Sequence, residues 1–171
     1  MKFPDQYVVD IADCRIMTND SGQNMEEVSK TKSLKRENIS ETIEITAAKT
    51  AYSDLDDEVK LAVESAAEKK AVATVVLDLR PITSFTEFFI IAGGTNQRHV
   101  QAIADEIMLQ LKKQKKLRPL RVEGYSTADW ILLDFGDFVA HIFNEKSRTF
   151  YDLERVWRDA RKVELPDDIS L

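Results

Sequence analysis

The chain has 171 residues and a formal net charge of −6, long enough for one ordinary domain with room for a tail. A hydrophobic share of 43% supports a real core, 32% charged residues argue for a soluble protein, and no apolar run nears the roughly 18 to 20 residues that cross a bilayer. The acidic balance speaks against a general nucleic-acid binder, whose footprint is basic, and the single cysteine, Cys14, excludes an intrachain disulfide and a cysteine-based zinc cluster.

Residues 1–52 differ in kind from the rest. The opening MKFPDQYVVDIADC carries acidic residues and lacks the basic-then-apolar order of an export or transit segment, so a cytosolic location is expected. Beyond one apolar cluster, Tyr7-Val8-Val9-Asp10-Ile11, this stretch is polar and aperiodic and reads as a largely disordered tail. The folded domain is expected over 53–165, followed by a short acidic tail over 166–171. Ser53 supplies an N-cap, Asp54, Asp56 and Asp57 supply negative charge for a helix start, and Leu55, Val59, Ala62, Val63, Ala66 and Ala67 recur at helical spacing to about residue 70.

A β-branched run over 72–79 predicts a strand that ends at Arg80-Pro81. The run EFFIIA over 87–92 is apolar on both faces, which predicts a central strand. Gly93-Gly94-Thr95-Asn96 then leads into a helix with Val100, Ile103, Ala104, Ile107, Met108 and Leu111 on one side. Lys112, Lys113, Lys115 and Lys116 lie at its carbonyl end. A short strand over 120–123 and a loop over 124–129 follow.

Two dense apolar runs flanking Gly136-Asp137 predict a tight hairpin. With those two as turn residues, Ile131, Leu133, Phe135, Phe138, Ala140 and Ile142 share one wholly apolar face. The other face carries Trp130, Leu132, Asp134, Val139, His141 and Phe143, with Asp134 diagonal to His141 and Trp130 opposite Phe143. A last helix is expected over 147–162, with Phe150, Tyr151, Leu153, Val156 and Trp157 as its large apolar positions, stopped by Pro166. The element order α-β-β-α-β-β-β-α predicts a mixed α/β fold, a sheet of about five strands with helices packed on it.

Three consecutive segments carry a resemblance to a known family. AGGTNQRHVQAIADEI resembles the "tGTs-RHv-aiAd" segment of the Iojap-like ribosomal silencing factors, VEGYSTADWILLDFGDFVAHIF is similar to their "vEG…-adWvllDyGdvvvHvf" core, and NEKSRTFYDLERVW is similar to their "eeSR-fYdLE-LW" ending. The resemblance covers about residues 55–158. One departure stands out: Thr86-Glu87-Phe88 occupies the place of the aspartate in the family's "tDyfvi" strand start.

The resemblance implies a nucleotidyltransferase-like fold without known catalysis and without cofactor or metal. It also implies docking on the fourteenth protein of the large ribosomal subunit, where the small subunit would join, so that translation is repressed sterically. Organelle counterparts imply an alternative, large-subunit assembly by the same surface. A third alternative is a nucleotide-binding enzyme, but Asp105-Glu106 are adjacent and Asp134 and Asp137 span a turn, so neither pair has the spacing that holds a metal against a triphosphate. The glycine turn with Arg98 could accept an anion, against a plain capped turn.

Trp130 is the leading partner-binding candidate, because tryptophan is enriched at interface hot spots; its alternative is core packing. Tyr151 and Glu154 come next, against helix packing for Tyr151 and an exposed i, i+4 pairing with Arg158 for Glu154. Asp134 and His141 are read as a structural hydrogen-bonded pair rather than an acid–base pair. Lys112, Lys113, Lys115 and Lys116 could make a minor contact with ribosomal RNA, against a solvated helix end. The chain is expected to be a monomer or weak dimer with no membrane partner.

Overall fold

The computed structural model describes residues 49–167 and Ile169. The chain divides into two units, Met1–Thr42 and Ile43–Leu171, and the described residues all belong to the second. Of the tail expected over 1–52, residues 1–48, with Tyr7–Ile11 and Cys14, lie outside them, whereas Thr50–Ala51 form a strand and Tyr52 begins a turn, so the fold starts earlier than expected.

A two-residue strand, β1 (Thr50–Ala51), opens the fold before a single turn at Tyr52–Asp54. Helix α1 (Asp57–Glu68) follows. Asp56, not Ser53, stands at its N-cap; the Ser53 hydroxyl donates to Asp54 at 3.0 Å instead. Asp57 and Glu58 occupy the first turn, where the helix dipole favours negative charge. Val59, Ala62, Val63 and Ala66 are buried, as the spacing predicts.

Strands β2 (Val72–Asp78) and β3 (Phe88–Gly94) are antiparallel neighbours. Every residue of β3 is buried, with Phe88, Ile90 and Ala92 in one core cluster and Phe89 and Ile91 in another. That is the central strand its two apolar faces predict. Helix α2 (Gln97–Gln110) continues through a π-helical turn at Leu111–Lys115. β4 (Arg121–Glu123), β5 (Trp130–Asp134) and β6 (Phe138–Asn144) complete the middle of the chain.

The chain then departs from expectation. A single helix over 147–162 is replaced by α3 (Glu145–Tyr151), α4 (Leu153–Val156) and a strand, β7 (Arg161–Glu164). Asp152 adopts a left-handed conformation, φ 42°, and its N–H caps α3 through the Arg148 carbonyl at 2.9 Å. The apolar spacing ran across this break, and Phe150 and Val156 are 80% and 55% exposed rather than buried.

Among the described residues the sheet has seven strands in the order β1-β7-β2-β3-β6-β5-β4, two more than expected, and the mixed α/β class stands. β3 and β6 run parallel at its centre, and β5–β6 is the predicted hairpin. α1 and α2 cover one face; the α3–α4 segment and its continuation to Ala160 cover the other. At the β1 end, Asp78 is buried, accepts from the Thr50 hydroxyl at 2.8 Å and pairs with Arg80 at 2.8 Å. The Arg80 hydrogen bonds hold its carboxyl below the usual carboxylate range.

Candidate functional site

The hairpin register is the one its turn predicts: Trp130 opposes Phe143, Leu132 opposes His141 and Asp134 opposes Val139. Gly136, at φ 93°, takes the turn position that a side chain would strain. The turn is anchored from outside as well, since Thr86 Oγ1 and the Glu87 N–H donate to the Asp137 carbonyl at 2.9 and 2.7 Å. Glu87 itself, at the place of the family aspartate, is exposed.

The apolar face of the hairpin is buried against α1 and α2. The mixed face is covered too, by a different part of the chain. Leu77, Phe89, Ile91, Val139, Phe143 and Ala160 form a second core there, edged by Trp130, Leu132, Tyr151, Leu153 and Trp157, which are partly buried. His141 is 4% exposed. Its Nδ1 accepts from Trp130 Nε1–H at 3.3 Å, its Nε2 has no hydrogen-bond partner among the described residues, and the Phe89 ring stands edge-on at 4.6 Å.

The expected Asp134–His141 hydrogen bond is therefore not formed. Asp134 accepts from the Gly136 N–H at 2.9 Å, steadying its own turn, while His141 serves Trp130. Burial pushes the His141 pKa down to about 3. A base that weak takes no proton near neutrality, so the histidine is a hydrogen-bond acceptor inside the sheet.

Trp130 stacks on Phe143 at 4.9 Å and meets Tyr151 at 4.8 Å, and Tyr151 meets Phe150 edge-on at 5.0 Å. These contacts make an aromatic row that runs from the fully buried Phe143 to the 80% exposed Phe150. Two of the three candidate contact residues, Trp130 and Tyr151, thus come together. Glu154 turns elsewhere. It pairs with Arg148 at 2.6 Å, not with Arg158, and is only 22% exposed.

The glycine turn has a packing role. A Cβ on Gly94 would lie 2.7 Å from a Val100 methyl, so the glycine lets α2 approach β3. Asn96 caps α2 by accepting from the His99 N–H at 3.0 Å, and the Thr95 N–H donates to His99 Nδ1 at 3.1 Å. His99 Nε2 is then the protonated nitrogen and reaches the Lys69 carbonyl at 2.6 Å, tying the end of α1 to the start of α2. The turn is thus a capped one, with the Thr95 and His99 amides bonded within it.

Asp105 and Glu106 diverge as their adjacency predicts. Asp105 accepts from the Tyr125 hydroxyl at 2.9 Å, while Glu106 pairs with Lys69 at 2.9 Å. Among the described residues no group of three or more His, Cys, Asp or Glu is arranged to hold a metal ion. In the basic run, Lys115 is committed to Asp57 at 3.1 Å and Glu58 at 3.5 Å, and Lys112, Lys113 and Lys116 are exposed. Among the described residues no helix is long and apolar enough to cross a membrane.

A half-buried tryptophan and tyrosine thus lead to a bare phenylalanine at the margin of this face, with His141 proton-silent near neutrality beneath them. Residues 52–170 match the family model described as "Ribosomal silencing factor during starvation", and the chain belongs to that family. The chain is 40% identical over 111 residues to the Ribosomal silencing factor RsfS of Halalkalibacterium halodurans, covering 65% of this chain and 94% of the relative. It is 32% identical over 85 residues to a mouse protein named "Mitochondrial assembly of ribosomal large subunit protein 1", covering 48% of this chain and 37% of that one. A crystal structure of a Chromobacterium violaceum protein superposes with a TM-score of 0.57 at 30% identity, over 64% of this chain and 88% of that one.

Three features escaped sequence reasoning: the exposure of Phe150, the segment that covers the mixed face, and Arg148 as the partner of Glu154. All three follow from the left-handed Asp152. A non-glycine residue in that conformation gives no periodic signal.

Proposed function

We propose that this protein represses translation by binding the large ribosomal subunit through its fourteenth protein and blocking the small subunit sterically, without catalysis. The observation that carries the reading is the aromatic row Phe143–Trp130–Tyr151–Phe150, in a chain belonging to the silencing-factor family. Aromatic anchors supported from beneath supply contact area at low entropic cost, the pattern of interface hot spots.

Trp130 gives its N–H to His141 and so offers the partner ring surface alone. Phe150 and Tyr151 extend that surface. A body of about 120 residues has a radius of gyration of about 14 Å, enough to occupy a joining face once docked. The exposed Lys112, Lys113 and Lys116 form a secondary contact with ribosomal RNA; Lys115 contributes least, since α1 neutralises it. The protein acts in the cytoplasm, as a monomer or weak dimer.

The test is co-sedimentation of the full chain with isolated large subunits, paired with light scattering of subunit joining. Binding with a matching loss of joining is expected. Absence of either contradicts the reading. A second reading, large-subunit assembly by the same surface, is favoured by the name of the mouse relative. Association with immature particles but not mature ones would select it.

A further inference from the structure

Arg148 sits where three elements meet. Its Nη2 donates to the Ala73 carbonyl and to Glu154 Oε1, both at 2.6 Å, and its Nη1 donates to the Val72 carbonyl at 3.1 Å. A glycine makes the room. Val72, Gly93, Phe143 and Trp130 are successive register partners across β2, β3, β6 and β5, so their side-chain positions lie on one face. Gly93 leaves that row open, and a Cβ there would stand 3.3 Å from Arg148 Nη1 and 2.9 Å from the Val72 carbonyl.

The two carbonyls are offered to a side chain because β2 leaves its ladder here. Ala73 is left-handed, φ 49°, and the β2–β3 register shifts between Val72 and Val75. On the other side, positions 148 and 154 would lie about 240° apart around a continuous helix. They meet because Asp152 breaks it.

We propose that Arg148 and Glu154 are positioning residues for docking. Their ion pair fastens the α3–α4 bend to the β2 bulge and so holds Tyr151 against Trp130, and Glu154 makes no charge contact with the partner. The inference rests on the docking reading above for its consequence, but not for the clamp itself. The geometry favours an internal role: the pair is 17% and 22% exposed, and Arg148 joins the carboxylate to two backbone carbonyls on a different element.

Two measurements on the full chain test it, with variants Glu154→Ala, Glu154→Gln, Arg148→Ala and the Glu154→Ala/Arg148→Ala double variant. The first is backbone amide exchange over 147–156 in the free protein. Each single alanine variant should speed exchange about tenfold or more, the double variant no further, and Glu154→Gln, whose amide oxygen still accepts from Nη2, about threefold at most. The second is affinity for isolated large subunits across a salt series. The alanine variants should weaken binding by a common factor of about ten with the salt slope unchanged, and Glu154→Gln should recover most of it.

If Glu154→Gln binds as poorly as Glu154→Ala, with a reduced salt slope and normal exchange, the carboxylate meets the partner and the proposal is wrong. If the unaltered protein does not bind large subunits, the docking reading falls, while the exchange series still decides the clamp. Exchange unchanged in both alanine variants overturns it.

Discussion

His141 has its Nδ1 filled by Trp130, and burial pushes its pKa down to about 3. In the unfolded chain the same ring titrates near 6.5. Between those values the unfolded state binds the extra proton, so stability falls as pH drops, by up to about 1.4 kcal/mol per pH unit. Asp78, whose carboxyl is held low by Arg80, adds to the acid loss in the same direction. Urea unfolding from pH 7 to pH 4 should therefore show a shallower decline for His141→Phe than for the unaltered protein, the Asp78 share being common to both. Parallel curves would show that His141 is protonated in the fold. Trp130→Ala should weaken binding to large subunits by about 2 kcal/mol or more while the protein stays folded. A folded variant with unchanged affinity would leave Trp130 a packing residue. Alternation alone put Trp130, Asp134 and His141 on one face, because the Gly136-Asp137 turn admits one pairing. It could not say that His141 would bond to Trp130 rather than to Asp134. That choice depends on rotamers and on cover from residues far along the chain.

The elements that were legible are those whose period is unbroken. β3 is apolar on both faces and central, and α1 and α2 bury the stripes that their spacing marks. The apolar face of the hairpin is pure core, so Leu133→Ala should cost about 2–5 kcal/mol in chemical denaturation. A loss under about 1 kcal/mol would mean that this face is not close-packed. The end of the chain was illegible for a local reason. Asp152 bends the backbone at φ 42° and sends Arg161–Glu164 back into the sheet as β7. Its carboxylate also pairs with Arg155 at 3.0 Å. A β-branched residue tolerates this conformation poorly, so Asp152→Val should destabilise the protein by about 1–3 kcal/mol, whereas Asp152→Gly should keep the bend. Equal melting temperatures for the two variants would contradict a left-handed bend at this position.

At the scale of the whole molecule, the sheet separates two tasks. One face, under α1 and α2, carries stability. The other, under the short α3–α4 segment, is covered just enough to bury His141 and Phe143 while leaving Trp130 and Tyr151 at the margin and Phe150 bare. The two-strand shortfall in the expected sheet leaves this division intact, since β1 and β7 join at the end away from β5. The three motif segments converge on this second face: Gly93 of the glycine turn seats Arg148, the hairpin carries Trp130, and the final segment brings Tyr151 onto it. In the proposed function this surface docks on the large subunit and excludes the small one. Light scattering of the two subunits mixed with increasing protein measures it most directly. Joining should fall in proportion to large-subunit occupancy, and Trp130→Ala should shift the curve to higher concentration. Full joining at saturating occupancy would contradict the account.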